Sequence, residues 1–272
     1  MSPRIFRTSL IPTKLYRKTT QVQPVCSVDS LEHSEANRLA VHTLTFEIPE
    51  DQTFDGSTIP HSEIRIDLGD VIKIVMPNDR PKSYALSALR PEKNEMDVTI
   101  EVDPNDSASM FMDSLQTGDT IRTFGMRTKM SRDPGKFFGG IAHGVGITEM
   151  LPVAEAELEK GDAKKVVILW ESGTSKDIFW TDKVVALKGK YPDTFEMVYM
   201  YSNDETRNTD ILKGRISPRV LKQVFEPHIN ATLIMKKEVR FLIFGAKDKV
   251  ENTKSMMTQI GYNMSKYALF VR

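Results

Sequence analysis

Two rhythms of hydrophobic and polar residues divide the chain. From about Gln21 to Met130, short apolar alternations are separated by Pro, Asn, Asp and Gly, and no long stretch has a 3.6-residue period. Residues 40–48, 63–66, 71–75, 96–102 and 120–124 read as strands bounded by turn residues. Strands at this spacing predict a small antiparallel barrel, taken as six-stranded. Inside it, residues 107–115 read as a helix opened by Ser107 or Ser109 and closed before Gly118.

After about Lys136 the rhythm changes to apolar strands alternating with amphipathic helices. Strands are expected at 137–142, 165–170, 195–201 and 239–244, and helices at 147–159, 177–190, 218–225 and 250–260. That order implies a parallel sheet covered by helices on both faces, an α/β domain. The break between the two patterns falls near residues 131–135, where Asp133, Pro134 and Gly135 make a linker-like step. The expected organisation is an N-terminal arm (1–24), an antiparallel barrel (25–131) and a parallel-sheet α/β domain (132–272).

The chain is 40% hydrophobic and 27% charged with a formal net charge of zero, the composition of a soluble globular protein. Balanced charge gives no long-range field toward nucleic acid or an anionic membrane, so neither is expected as a partner. There is one cysteine, Cys26, so an internal disulfide or a thiolate-held metal or iron–sulfur centre is not expected from this chain. No apolar run approaches the ~18 residues of a membrane span, and the chain reads as cytoplasmic. Arg4, Arg7, Lys14, Arg17 and Lys18 occur without an acidic residue in the first 25 positions; a transit segment has this composition, but an exposed basic arm is the preferred reading.

The chemistry concentrates in a few segments. In the second half a strand runs straight into Gly144-Val145-Gly146-Ile147-Thr148 and then a helix. A turn without side chains lets a pyrophosphate approach free N–H groups at a helix N-terminus, although any tight strand-to-helix turn uses similar residues. In the first half, Lys82-Ser83-Tyr84-Ala85 follows the strand at 71–75, and Ser107-Ala108-Ser109-Met110 opens the helix. Further on stand Met126-Arg127-Thr128-Lys129-Met130, Phe244-Gly245-Ala246 and Tyr267 to Phe270.

In this order the segments resemble the ferredoxin–NADP reductase superfamily, and within it the phthalate dioxygenase and vanillate demethylase reductase branch without its ferredoxin domain. The resemblance spans about residues 25 to 270. It implies a flavin-binding barrel followed by a nucleotide-binding α/β domain, with ligands meeting in a cleft. Lys82, Ser83, Tyr84 and Ala85 stand where the superfamily has Arg-x-Tyr-Ser on the flavin. Lys82 keeps a phosphate-neutralising charge but lacks the arginine fork, with Arg80 as a possible substitute, and Ala85 lacks the hydroxyl. Ser107, Ser109 and Met110 look like the helix start that receives the flavin phosphate, and Arg127 belongs to the element of the FMN-using branch.

Gly144, Gly146, Thr148 and Gly245 then fall on the nucleotide. Ser202 and Arg207 fall where a 2′-phosphate lies, with Asp204 and Glu205 opposing it. Phe244 replaces a family cysteine beside the nicotinamide, Glu149 replaces a proline, His143 replaces a glycine and reads as structural, and Phe270 closes the site. Trp170 and Trp180 read as packing. The implied cofactors are a flavin, FMN slightly ahead of FAD, and NAD(P)H; the implied acceptor is a separate ferredoxin or oxygenase component. Two alternatives stay open: a non-catalytic subunit with the same fold, and a flavin enzyme serving a free small acceptor.

Overall fold

The computed structural model describes residues 11–20, 40–47, 51–54, 57–60, 71–127, 135–203, 211–231, 238–262 and 270–271. The described residues divide into two compact units, 11–127 and 135–271. The first is built on a sheet of seven strands: β1 (Ile11–Thr20), β2 (Ala40–Glu47), β5 (Val71–Val75), β6 (Pro81–Ala85), β7 (Ala88–Arg90), β8 (Glu95–Val102) and β9 (Thr120–Arg127). They lie in the order β6-β5-β9-β1-β2-β8-β7, and every neighbouring pair is antiparallel. A separate hairpin joins β3 (Asp51–Phe54) to β4 (Ser57–Pro60). The strand expected at 63–66 lies outside the described residues.

Ile11–Thr20, placed by the sequence in an exposed arm, is instead a central strand between β2 and β9, which makes seven strands of the expected six. Thr13 and Leu15 are buried and Lys14 is exposed. The strand starts in the ordinary period of two, and a register shift between Leu15 and Arg17 then interrupts it, which hides the signal. Leu15 joins Leu44, Phe46, Ile72, Ile74, Met96 and Val98 in the core of this unit. The helix α1 (Ser107–Ser114) contributes Met112 to the same core, and Leu115 follows it there.

The second unit holds a parallel sheet of β10 (Phe137–His143), β11 (Lys165–Ser172), β12 (Phe195–Tyr201), β13 (Leu212–Lys213), β14 (Val239–Phe244) and β15 (Phe270–Val271). Its order is β13-β12-β11-β10-β14-β15. All seven residues of β10 are buried, as the middle strand of a parallel sheet covered on both faces requires. The helices are α2 (Ile147–Lys160), α3 (Thr181–Lys190), α4 (Pro218–Ala231) and α5 (Lys247–Gln259). α3 begins four residues later than the sequence pattern suggested, because Ser175–Asp177 forms a short 3-10 turn closed by a Thr174/Asp177 capping box. A core of Phe137, Ile141, Val167, Leu169, Phe225, Phe241 and Ile243 lies under α4 and α5 residues such as Leu221 and Met257.

From β10 the sheet grows one way through β11, β12 and β13, and the other way through β14 and β15. The strand order therefore reverses between β10 and β14, and the carboxyl ends of those two strands mark the switch point where open α/β sheets bind ligands. No helix among the described residues is long and apolar enough to cross a membrane.

Candidate functional site

The switch point is built from backbone. β10 ends at His143 and passes through a 3-10 turn, Gly144–Gly146, directly into α2, whose N-terminus has no side-chain cap. The Ile147 N–H turns back to the Gly144 and Val145 carbonyls, and a helix N-terminus without a side-chain cap is a general binding place for an anion. Two glycines make the turn possible for different reasons. Gly144 has φ +54, a left-handed conformation that costs an L side chain about 1 kcal/mol or more. A Cβ on Gly146 would stand 2.6 Å from both the carbonyl carbon and oxygen of Phe244, so only glycine lets the turn press against the end of β14.

The turn is tied at several points. Thr148, fully buried, donates its hydroxyl to the Val145 carbonyl at 2.9 Å. Trp170, from β11, donates its indole N–H to the Gly144 carbonyl at 2.9 Å. His143 is held on both ring nitrogens, Nδ1 by Glu171 Oε2 at 2.6 Å and Nε2 by Thr253 Oγ1 at 3.0 Å. Lys249 reaches the same Glu171 oxygen at 3.4 Å, and the Ile216 N–H donates to Glu171 Oε1 at 3.5 Å. Burial alone would push the Glu171 carboxyl up; the hydrogen bond and charge of His143, the charge of Lys249 and the Ile216 N–H outweigh it and bring it down to about 2. The network joins β10, β11 and α5 at the carboxyl edge of the sheet.

Of the residues expected on the nucleotide, Gly144, Gly146 and Thr148 form the turn, and Gly245 follows β14 directly beside it. The Phe244 side chain is fully buried, so what it presents to the turn is its backbone carbonyl. Phe270 pairs through its backbone with Ile243, which brings β15 alongside β14. At the ends of β11 and β12, Ser202 donates its N–H to the Ser172 carbonyl at 3.0 Å. Arg207 lies outside the described residues. Glu149 is half-buried in the first turn of α2.

The first unit brings together the two segments expected on a flavin. Tyr84, half-buried on β6 opposite Ile72, packs against the core, with the Lys82 ammonium 6.0 Å from its ring centre. The same ammonium meets Asp106 Oδ2 at 2.6 Å, and Asp106 caps α1 by accepting the Ala108 N–H on its other oxygen at 3.2 Å. Burial opposes ionisation of Asp106, and the Lys82 and backbone hydrogen bonds overcome it, leaving the carboxyl below its ordinary range. The N-cap is thus Asp106 and not Ser107 or Ser109. The buried Ser109 hydroxyl is engaged by the Asp103 and Asp106 carbonyls at 3.0 Å each.

Ser83 is half-buried, Ala85 is buried, Ser107 and Arg80 are exposed, and Met110 is 43% exposed. Arg127 ends β9. The strand and helix thus bring together an aromatic ring and a cation, and the cation holds the chain's own carboxylate. Asp106→Ala is expected to lower stability by about 1 kcal/mol through loss of the cap, read as a lower urea midpoint with an unchanged slope.

Sequence reasoning missed three parts of this geometry. The Glu171 partner was signalled by an acid ending the apolar run Val166–Trp170. The Asp106 cap and the Trp170 link to Gly144 had no local signal, since each depends on a contact across the fold.

An antiparallel sheet unit followed by a parallel sheet with a glycine turn at its switch point is the fold that this chain shares with solved ferredoxin NADP+ reductase structures. Residues 141–253 match the family described as Oxidoreductase NAD-binding domain. The chain is similar to the NADH-cytochrome b5 reductase 1 of Debaryomyces hansenii, at 24% identity over 93% of this chain and 86% of that protein. It is also similar to the NADH--cytochrome b5 reductase 1 of Arabidopsis thaliana, at 30% identity over 44% of this chain and 43% of that protein, less than half the relative's length. Among solved structures, a ferredoxin NADP+ reductase from Neisseria gonorrhoeae with bound FAD and NADP superposes with a TM-score of 0.66 at 16% identity, covering 94% of this chain and 93% of that one. The phthalate dioxygenase reductase branch is not singled out by these likenesses, and the leaning to FMN finds no support in them.

Proposed function

We propose that this protein is a flavin-dependent NAD(P)H reductase that delivers electrons to a separate protein acceptor. One observation carries the reading: the Gly144-Val145-Gly146 turn closes on the Phe244 carbonyl at the sheet's switch point, inside the segment that matches the oxidoreductase NAD-binding family. The uncapped N-terminus of α2 binds the dinucleotide pyrophosphate, and Ser202 serves the ribose end, with Arg207 assigned to it from the sequence. On the first unit, Tyr84 offers a face to the flavin ring, Lys82 a charge to its phosphate, and Arg127, Ser107 and Ser109 the surrounding polar positions. When bound, the cofactors supply hydride transfer and one-electron release.

FAD is the flavin favoured, supported by the FAD in the Neisseria neighbour. The acceptor is a ferredoxin or an oxygenase component, and the names of the relatives add a cytochrome b5 to the candidates. A second reading, a subunit that keeps the fold without flavin chemistry, is favoured by the Lys82–Asp106 pair, which places a carboxylate where a phosphate would need the cation.

Heating the purified protein and chromatographing the supernatant distinguishes the two. The reductase reading expects FAD, bound as purified or taken up on addition. Absence of flavin under both conditions supports the second reading.

A further inference from the structure

We propose that Trp170 is a positioning residue for nucleotide binding, acting through the peptide that joins Gly144 to Val145; this rests on the nucleotide reading of the turn given above. The indole is fully buried and held between Phe179, whose ring centre is 5.5 Å away and nearly perpendicular, and Tyr199 at 5.9 Å. Its N–H donates to the Gly144 carbonyl at 2.9 Å. A buried indole N–H needs a partner, and here the partner is a carbonyl of the anion-binding turn.

The direction of that carbonyl matters because a trans peptide points its C=O and N–H in opposite directions. With the Gly144 oxygen fixed on the indole, the Val145 N–H points away from it, and in the nucleotide reading that is the side of the anion. A flipped peptide would reverse both groups and turn carbonyl lone pairs toward a phosphate. Val145 also opposes the flip, since its φ is negative and the flip would drive it positive, and the indole bond acts together with it. Gly144 has no side chain, its φ is +54, and nothing stands within 4 Å of where a Cβ would be, so glycine accepts either orientation at small cost. The Ile147 N–H also reaches the Gly144 and Val145 carbonyls, but it moves with the turn. The indole is anchored in β11, which pairs with β10 through Ala142 and with β12 through Tyr199, and so supplies the fixed reference.

The same shape without the hydrogen bond isolates the effect. Trp170 is replaced by β-(3-benzothienyl)alanine, in which sulfur takes the place of the indole N–H, and in parallel by phenylalanine. Binding of NADH and NADPH is measured by calorimetry, steady-state kcat and KM with ferricyanide as electron acceptor, and Tm by calorimetric scan. For the benzothienyl protein, Kd and KM of the preferred nucleotide are expected to rise about tenfold, with kcat within about twofold and Tm within a few degrees. Trp170→Phe is expected to show the same rise in Kd together with a lower Tm from lost packing.

An unchanged Kd and KM in the benzothienyl protein would overturn the proposal while leaving the reductase reading intact. A Kd that rises only in step with a falling Tm would reduce Trp170 to a packing residue and overturn it too. Failure of the unmodified protein to bind either nucleotide would overturn both.

Discussion

Gly146→Ala is expected to weaken nucleotide binding by more than about tenfold. The added methyl would lie 2.6 Å from the Phe244 carbonyl carbon and oxygen and 2.9 Å from the Gly245 nitrogen. All three are backbone atoms at the end of a paired strand, so no side chain can rotate aside. Either β14 or the turn must move, and overpacking of this kind costs about 1–3 kcal/mol. The turn is the softer of the two, since it has no sheet partner, and its displacement takes the first N–H groups of α2 out of line. The KM for NAD(P)H should rise by more than about tenfold, following the loss of one or two charge-assisted hydrogen bonds. Tm should fall by a few degrees, while the flavin content, set by the first unit, stays unchanged. A Gly146→Ala protein with unchanged KM would show that the pyrophosphate binds elsewhere.

The second large effect concerns Glu171. Its side chain and that of His143 are 6% and 4% exposed, so removing one partner strands the other in a place without water. Glu171→Leu is expected to destabilise the protein by about 3 kcal/mol, at the lower end for a broken buried pair because Lys249 approaches from the exposed side. The pH dependence has a definite sign. The folded carboxyl titrates at about 2, below its ordinary value of 4.5, so its contribution is fully present above about 4.5 and is lost as pH falls toward 2. Urea midpoints measured across that range should fall more steeply for the natural protein than for Glu171→Gln. Parallel curves would show that the pair contributes nothing to acid stability.

The sequence made the second unit legible nearly element by element, because long helices and fully apolar strands carry strong periodic signals. The strand–glycine–helix step at Gly144–Gly146 was visible for the same reason, and also because glycine spacing reports a local backbone need. The first unit was harder. β1 carries Lys14 and Lys18 among its apolar residues and shifts register between Leu15 and Arg17, and the two together concealed a strand whose Thr13 and Leu15 are buried.

The candidate site was legible wherever its chemistry is local and obscure wherever it depends on contacts across the fold. Lys82 and Tyr84 stood out in the sequence, but the carboxylate that holds Lys82 comes from Asp106, 24 residues on. His143 was read as structural, and its position between Glu171 and Thr253 bears out a buried, fully partnered ring; that it helps clamp the turn followed only from the fold. Trp170, read as packing, is packing and also a hydrogen-bond donor.

The central claim is that NAD(P)H bound at the Gly144–Gly146 turn reduces a flavin held by this chain. The most direct test is anaerobic addition of NADH, and separately NADPH, to the FAD-loaded protein while following the flavin's visible absorption band. The account predicts that one of the two bleaches the band, and that Gly146→Ala demands far more nucleotide for the same effect. A band that persists under excess of both nucleotides would contradict it.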